Sequence, residues 1–115
     1  MEKPLAGKNI LVVEDETVCR TVITEFLKSL GAMVQQAGNG LEALAQIKVQ
    51  SPDLILCDLA MPKMGGIEFV ERLLAQGVNI PILVISATDK MTDIAKVMRL
   101  GVKDVLLKPI VDLNR

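Results

Sequence analysis

A doubly wound α/β domain built on a five-stranded parallel sheet is the fold class this sequence predicts. Three observations predict it. Short strand-like runs recur along the chain, at residues 10–13, 33–36, 54–57, 82–85 and 104–107, most of them aliphatic. Segments of about ten to fifteen residues with helical apolar spacing lie between them. Runs such as 10–13 and 82–85 are continuous and β-branched, as strands covered on both faces must be.

The elements follow in order. The first run ends at Glu14-Asp15-Glu16. Val18, Val22, Ile23, Phe26, Leu27 and Leu30 then recur at helical spacing, and Gly31 stands where a helix end favours glycine. Residues 33–36 read as a second strand, stopped by Gly38-Asn39-Gly40. Leu41, Leu44, Ala45 and Lys48 continue as a helix until Ser51-Pro52-Asp53 breaks it. The third run, 54–57, ends at Asp58. Met61-Pro62-Lys63-Met64-Gly65-Gly66 reads as a loop, because Pro and paired Gly oppose regular structure. Ile67, Val70, Leu73 and Leu74 mark a helix ending near Gly77. Pro81 precedes the fourth run, which ends at Ser86. Met91, Ile94, Ala95 and Met98 mark a helix stopped by Gly101, and the fifth run ends at Lys108-Pro109.

Length and composition bound the function. A chain of 115 residues reads as a single domain, residues 1–115. Half of the residues are apolar, which is too many for a disordered segment. There are two Phe and no Trp or Tyr, so base stacking on single strands has almost nothing to use. The absence of His removes imidazole bases and His-ligated zinc. A net charge of −1 gives no general grip on nucleic acid. Cys19 and Cys57 lie in apolar stretches and read as buried free thiols. Residues 1–8 lack a secretory pattern, and no apolar run nears the ~20 residues a membrane span needs. The expected compartment is a reducing cytoplasm.

Right-handed crossovers leave few topologies for five strands. The flavodoxin-like order 2-1-3-4-5 is the expected one, with its crevice between the carboxyl ends of the first and third strands. Polar residues gather along that edge. Glu14 and Asp15 follow the first strand, Asp58 the third, Ser86 and Thr88 the fourth, and Lys108 the fifth. Singly, each has an ordinary reading. The acidic run serves equally as a helix cap, Asp58 as a loop residue, and Lys108 as an exposed lysine. Their joint placement at successive strand ends is the specific signal. Three carboxylates crowded together would raise the pKa of at least one of them unless balanced. A divalent cation together with Lys108 supplies that balance. An oxygen-only site with open positions suits Mg²⁺. Such a site lets one carboxylate accept a phosphoryl group, with the ion and Lys108 neutralising the transferred charge.

These residues resemble the receiver domain of two-component response regulators, the CheY-like family, from Ile10 to Pro109. The matching stretches are Ile10-Leu11-Val12-Val13-Glu14-Asp15, Asp58-Leu59-Ala60-Met61-Pro62-Lys63-Met64-Gly65-Gly66, Ser86-Ala87 and Lys108-Pro109. The resemblance implies that Asp58 is the phosphoacceptor. It implies that Glu14, Asp15, Asp58 and the backbone carbonyl of Ala60 hold Mg²⁺, with Asp15 a direct ligand. Ser86 becomes the switch hydroxyl, Lys108 its ion-pair partner, and the Lys108–Pro109 bond a cis peptide. The implied phosphodonor is a histidine kinase or a small acyl phosphate. The protein would catalyse its own phosphorylation, and its own dephosphorylation, without being an enzyme toward another substrate. The implied partner surface is the fourth helix and fifth strand, with Lys90, Asp93, Lys96 and Arg99 as the polar face of that helix. No direct contact with nucleic acid or membrane is expected.

Residues 84–88, 93–96, 99–102 and 104–109 further resemble the receivers of proteolytic adaptors. That likeness implies the stationary-phase sigma factor, sigma-S, and the ClpXP protease as partners. Two departures stand out. Val105 occupies a position where many receivers carry an aromatic switch residue, and Glu14 stands where Asp is commoner. Val105 keeps open a degenerate receiver that binds partners constitutively, and a receiver of a DNA-binding or enzymatic regulator is a further alternative. An aspartate-based phosphatase would need a substrate lid for which the chain is short.

The family's last helix would follow the fifth strand, where this sequence has only residues 110–115. The expectation is a receiver ending before or within that helix. An apolar strip near Leu11 and Leu106 would then be exposed, and a second copy of the chain would have a surface to cover.

Overall fold

The computed structural model describes residues 3–61, 63–86 and 91–107. Strands and helices alternate strictly: β1 (Asn9–Val13), α1 (Thr17–Ser29), β2 (Met33–Ala37), α2 (Gly40–Val49), β3 (Leu54–Asp58), α3 (Gly66–Ala75), β4 (Ile82–Ser86), α4 (Met91–Arg99) and β5 (Asp104–Leu107). The sheet order is β2-β1-β3-β4-β5, and every pairing is parallel. The expected fold class and strand order are therefore present, with the four expected helices. The place of a fifth helix and the Lys108–Pro109 bond lie outside the described residues.

Side-chain alternation along each strand divides the core into two layers. Leu11, Val13, Ile55, Cys57, Ile82 and Val84 face α2, α3 and α4, where Ala43, Phe69, Val70, Leu73 and Val97 meet them. Ile10, Val12, Leu56 and Ile85 face the other way, toward Ile23 and Leu27 of α1. The chain moves one way along the sheet from β1 to β2 and the opposite way thereafter. Right-handed crossovers consequently send α1 to the face opposite the other three helices.

One expectation about these faces is corrected. Leu11 does not belong to an apolar strip with Leu106. It points into the layer beneath α2 and α3 and is fully buried. The groove on the sheet lies on the α1 face instead. It has a volume of about 220 Å³ and includes Leu5, Phe26, Leu54, Leu83, Ile85 and Leu106 in its lining. The error is one of parity, since a strand neighbour always faces the opposite layer.

Helix ends follow from local chemistry. The Asn39 side chain accepts from the Glu42 N–H at 2.9 Å, while Glu42 Oε1 accepts from the Gly38 N–H at 3.0 Å. This reciprocal arrangement starts α2. At the end of α1, Ala32 N–H reaches the Leu27 carbonyl at 3.1 Å and Gly31 N–H reaches that of Lys28 at 2.9 Å. Gly31 has φ 99°. A side chain there would be strained, and its Cβ would lie 2.8 Å from Lys3 Cβ. Close approach at this point lets Leu5 fold back on α1, with its N–H on the Leu30 carbonyl at 2.8 Å. Helices α3 and α4 end by the same bonding pattern at Gly77 and Gly101.

The buried stripes of the helices differ in detail from the expected ones. Val18 and Val22 are exposed; the stripe of α1 runs through Cys19, Ile23, Phe26 and Leu27. In α2 it is Gly40, Ala43, Leu44 and Ile47, with Leu41 exposed. Phe69 joins Val70 and Leu73 in α3, leaving Leu74 outside. In α4 Val97 is buried, whereas Met91, Ala95 and Met98 are exposed. Cys57 is buried as expected and Cys19 is half-buried; neither forms a disulfide. No helix among the described residues is long and apolar enough to cross a membrane.

Candidate functional site

Register places the chemistry. Val13 pairs with Cys57 and Cys57 with Val84, so the three central strands reach the same level before their polar residues begin. Asp58, one step further, is beside Ile85, and Ser86 is beside Leu107 of β5. Glu14 directly follows β1. Glu14, Asp58 and Ser86 are buried, with 2%, 4% and 1% of their surfaces exposed, while Asp15 is exposed at the rim. Carboxylate oxygens of Glu14, Asp15 and Asp58 lie within 4.8 Å of one another. Three of the expected site residues are thus brought together, and Ser86 stands on the next strand at the same edge. Ala60 is exposed two residues beyond Asp58, and its N–H donates to Asp58 Oδ1 at 3.3 Å. Lys108 and Thr88 lie outside the described residues.

The acidic loop is shaped by its own backbone. Glu14 Oε2 accepts from the Glu16 N–H at 3.0 Å, folding the side chain back over the loop. The Glu14 N–H continues the ladder to β2, donating to Ala37 O at 3.0 Å. Glu16 is the N-cap of α1, but its side chain makes no cap bond. The acidic run is therefore not simply a helix cap.

On the other side of the crevice, two features keep Asp58 in place. Gly66, the first residue of α3, packs directly against the Asp58 carbonyl, where a Cβ would collide with that oxygen and with Leu59 Cα. Its N–H donates to Leu59 O at 2.8 Å. Beneath lies Cys57, whose Sγ donates to the Asp58 carbonyl at 3.2 Å. Burial pushes the Cys57 thiol far above its ordinary range, and the nearby charges of Asp58 and Glu14 push it further. It is no nucleophile. The preceding loop holds Lys63 at φ 66°, a left-handed conformation that a lysine seldom adopts.

The donor set fits a small divalent cation. Three carboxylates from two strand ends offer only hard oxygens at mutually compatible distances, with solvent access at Asp15. Two contributors were missed by sequence reasoning. Gly66 reads as one half of a loop glycine pair, with nothing to say that backbone crosses beneath it. Arg20, on the first turns of α1, donates from Nη1 to the Glu14 carbonyl at 2.7 Å. No motif announces that bond.

The expected polar face of α4 is only partly present. Lys90 lies outside the described residues, Asp93 is half-buried, and Lys96 pairs with Glu71 of α3 at 3.8 Å. Arg99 is exposed beside an apolar stripe of Met91, Ala95 and Met98.

Comparison with known proteins agrees with this architecture. A family model for the response regulator receiver domain matches residues 10–114. The chain is 51% identical over 115 residues to the Regulator of RpoS of Escherichia coli K12, covering 100% of this chain and 34% of that protein. It therefore spans about a third of that curated relative's length. The N-terminal domain of an uncharacterized protein, WS1339, of Wolinella succinogenes superposes with a TM-score of 0.86 at 36% identity, covering 91% of this chain and 85% of that one. A chain of the CheX–CheY–BeF3–Mg²⁺ complex of Borrelia burgdorferi gives a TM-score of 0.85 at 27% identity, covering 92% and 81%.

Proposed function

The chain belongs to the response regulator receiver family, and on that premise we propose that it is a phosphorylation switch with Asp58 as phosphoacceptor. The observation that carries this reading is the meeting of Glu14, Asp15 and Asp58 within 4.8 Å, with Asp58 buried in the crevice. Glu14, Asp15, Asp58 and the Ala60 carbonyl would hold Mg²⁺. When bound, that ion offsets charge on the carboxylates and on the transferred phosphoryl oxygens.

Asp58 attacks the phosphorus of the donor with a carboxylate oxygen. A new P–O bond forms while the bond to the donor's imidazole nitrogen or acyl oxygen breaks, and the leaving group keeps the electron pair. No proton need leave Asp58, so the lack of His in the chain is no obstacle. The phosphoryl group adds about −1.5 to −2 of charge if it ionises as other phosphorylated side chains do. Ser86, buried at the end of β4, turns its hydroxyl toward it, and Lys108 pairs with it. The displacement passes to the surface formed by α4 and β5, where the partner docks.

Likeness to the Regulator of RpoS supports a more specific output. Phosphorylation of Asp58 then favours capture of sigma-S by an adaptor that delivers it to ClpXP. A phosphodonor kinase or a small acyl phosphate supplies the signal, and the site of action is the cytoplasm.

Incubation with Mg²⁺ and acetyl phosphate, read by intact mass, tests the switch. One added phosphoryl group on wild type and none on Asp58→Ala is expected. An unmodified wild type, or equal modification of both, overturns the assignment. Val105 on β5 favours a second reading, a constitutive binding module, because no aromatic rotamer is there to couple the site to the surface. Equal affinity of phosphorylated and unphosphorylated protein for sigma-S would select it.

A further inference from the structure

We propose that Arg20 is a positioning residue for the acidic site, holding the peptide from which Glu14 and Asp15 project. The inference rests on the Mg²⁺ reading above. Arg20 is half-buried on α1, with its backbone N–H on the Glu16 carbonyl at 2.9 Å. Its guanidinium bridges two strands. Nη1 donates to the Glu14 carbonyl at 2.7 Å, and Nε donates to Gln36 Oε1 on β2 at 3.2 Å. The Gln36 carbonyl in turn accepts from Gln46 Nε2 of α2 at 2.6 Å. The backbone of Glu14 is thus held on both sides of its Cα, by Ala37 through its N–H and by Arg20 through its carbonyl. A planar fork with several donors suits this double duty, which a lysine ammonium can meet only in part.

Charge and geometry predict opposite signs for the loss of Arg20. A guanidinium bonded to the backbone of the acidic loop repels an incoming cation, so charge removal alone would tighten Mg²⁺ binding. Loss of an orienting bond would weaken it, and outer-shell substitutions at metal sites commonly cost about 10–100-fold in affinity. The positioning role therefore predicts that Arg20→Met binds Mg²⁺ roughly ten-fold more weakly than wild type. Arg20→Lys, which keeps the charge and one donor, falls between them.

The test follows amide shifts of Glu14, Asp15 and Asp58 during Mg²⁺ titration of the whole chain, beside the thermal midpoint without Mg²⁺. Phosphorylation by acetyl phosphate should be slower in both variants at limiting Mg²⁺ and return to the wild-type rate at saturation. Wild-type or tighter affinity in Arg20→Met overturns the positioning role while leaving the site intact. If that variant does not fold, wild-type affinity in Arg20→Lys overturns it equally. Failure of wild type itself to shift with Mg²⁺ overturns the metal reading and the inference with it.

Discussion

Asp58 and the residues that touch it divide into those that do chemistry and those that make room for it. Cys57 belongs to the second kind. Its thiol is buried, next to carboxylates, and held far above the range in which thiolate forms. Alkylation of the native protein is expected to spare Cys57, and unfolding to expose it; peptide mass mapping distinguishes the two. Gly66 also makes room. Gly66→Ala drives a methyl group into the Asp58 carbonyl, so a loss of about 3 kcal/mol is expected, with slower phosphoryl uptake. Gly65→Ala meets only the Leu59 carbonyl, at 3.4 Å, and should cost far less than Gly66→Ala, no more than the loss of a favourable N-cap residue of α3. The carboxylates were legible in the sequence because each stands at the end of an aliphatic run. Gly66 and Arg20 were not, because their roles depend on backbone brought close from elsewhere in the chain. No local pattern records that proximity.

Among the elements, strand positions were legible and helix orientation was less so. A strand of continuous aliphatic residues declares itself by composition, and both of its faces are buried in any case. A helix with apolar residues at adjacent positions admits several stripes separated by ~100° of rotation. In α4 the residues Met91, Ala95 and Met98 repeat at helical spacing as well as Val97 and the following Leu100 do, yet only the latter pair meets the core. Sequence periodicity finds a repeat without saying which repeat the sheet will cover. This difference is measurable. Val97→Ala is expected to cost about 2 kcal/mol, and Met98→Ala to remain within about 0.5 kcal/mol, in chemical denaturation. The start of α2 offers an independent check. Asn39→Ala removes the bond to the Glu42 N–H, and about 1 kcal/mol should be lost.

At the scale of the whole molecule, the reversal of strand order between β1 and β3 both creates the crevice and separates α1 from the other helices. The opposite face is covered by α2, α3 and α4, while the α1 face carries an apolar groove that reaches β5. Leu106 stands at its end with 46% of its surface exposed, on the edge strand of the sheet. Water against such a surface is costly, and edge strands readily recruit other chains. A second copy brings an equivalent apolar face and an equivalent edge strand. The 115-residue chain is therefore expected to associate as its concentration rises, with a sedimentation coefficient climbing from the monomer value. Leu106→Glu places a charge in the shared surface and should hold the chain monomeric. Because Leu106 lines the groove on the α1 face and not the acidic site, that variant should still take up a phosphoryl group at Asp58 from acetyl phosphate. A sedimentation coefficient fixed at the monomer value for wild type over the whole range would show that the groove is not an interface between copies.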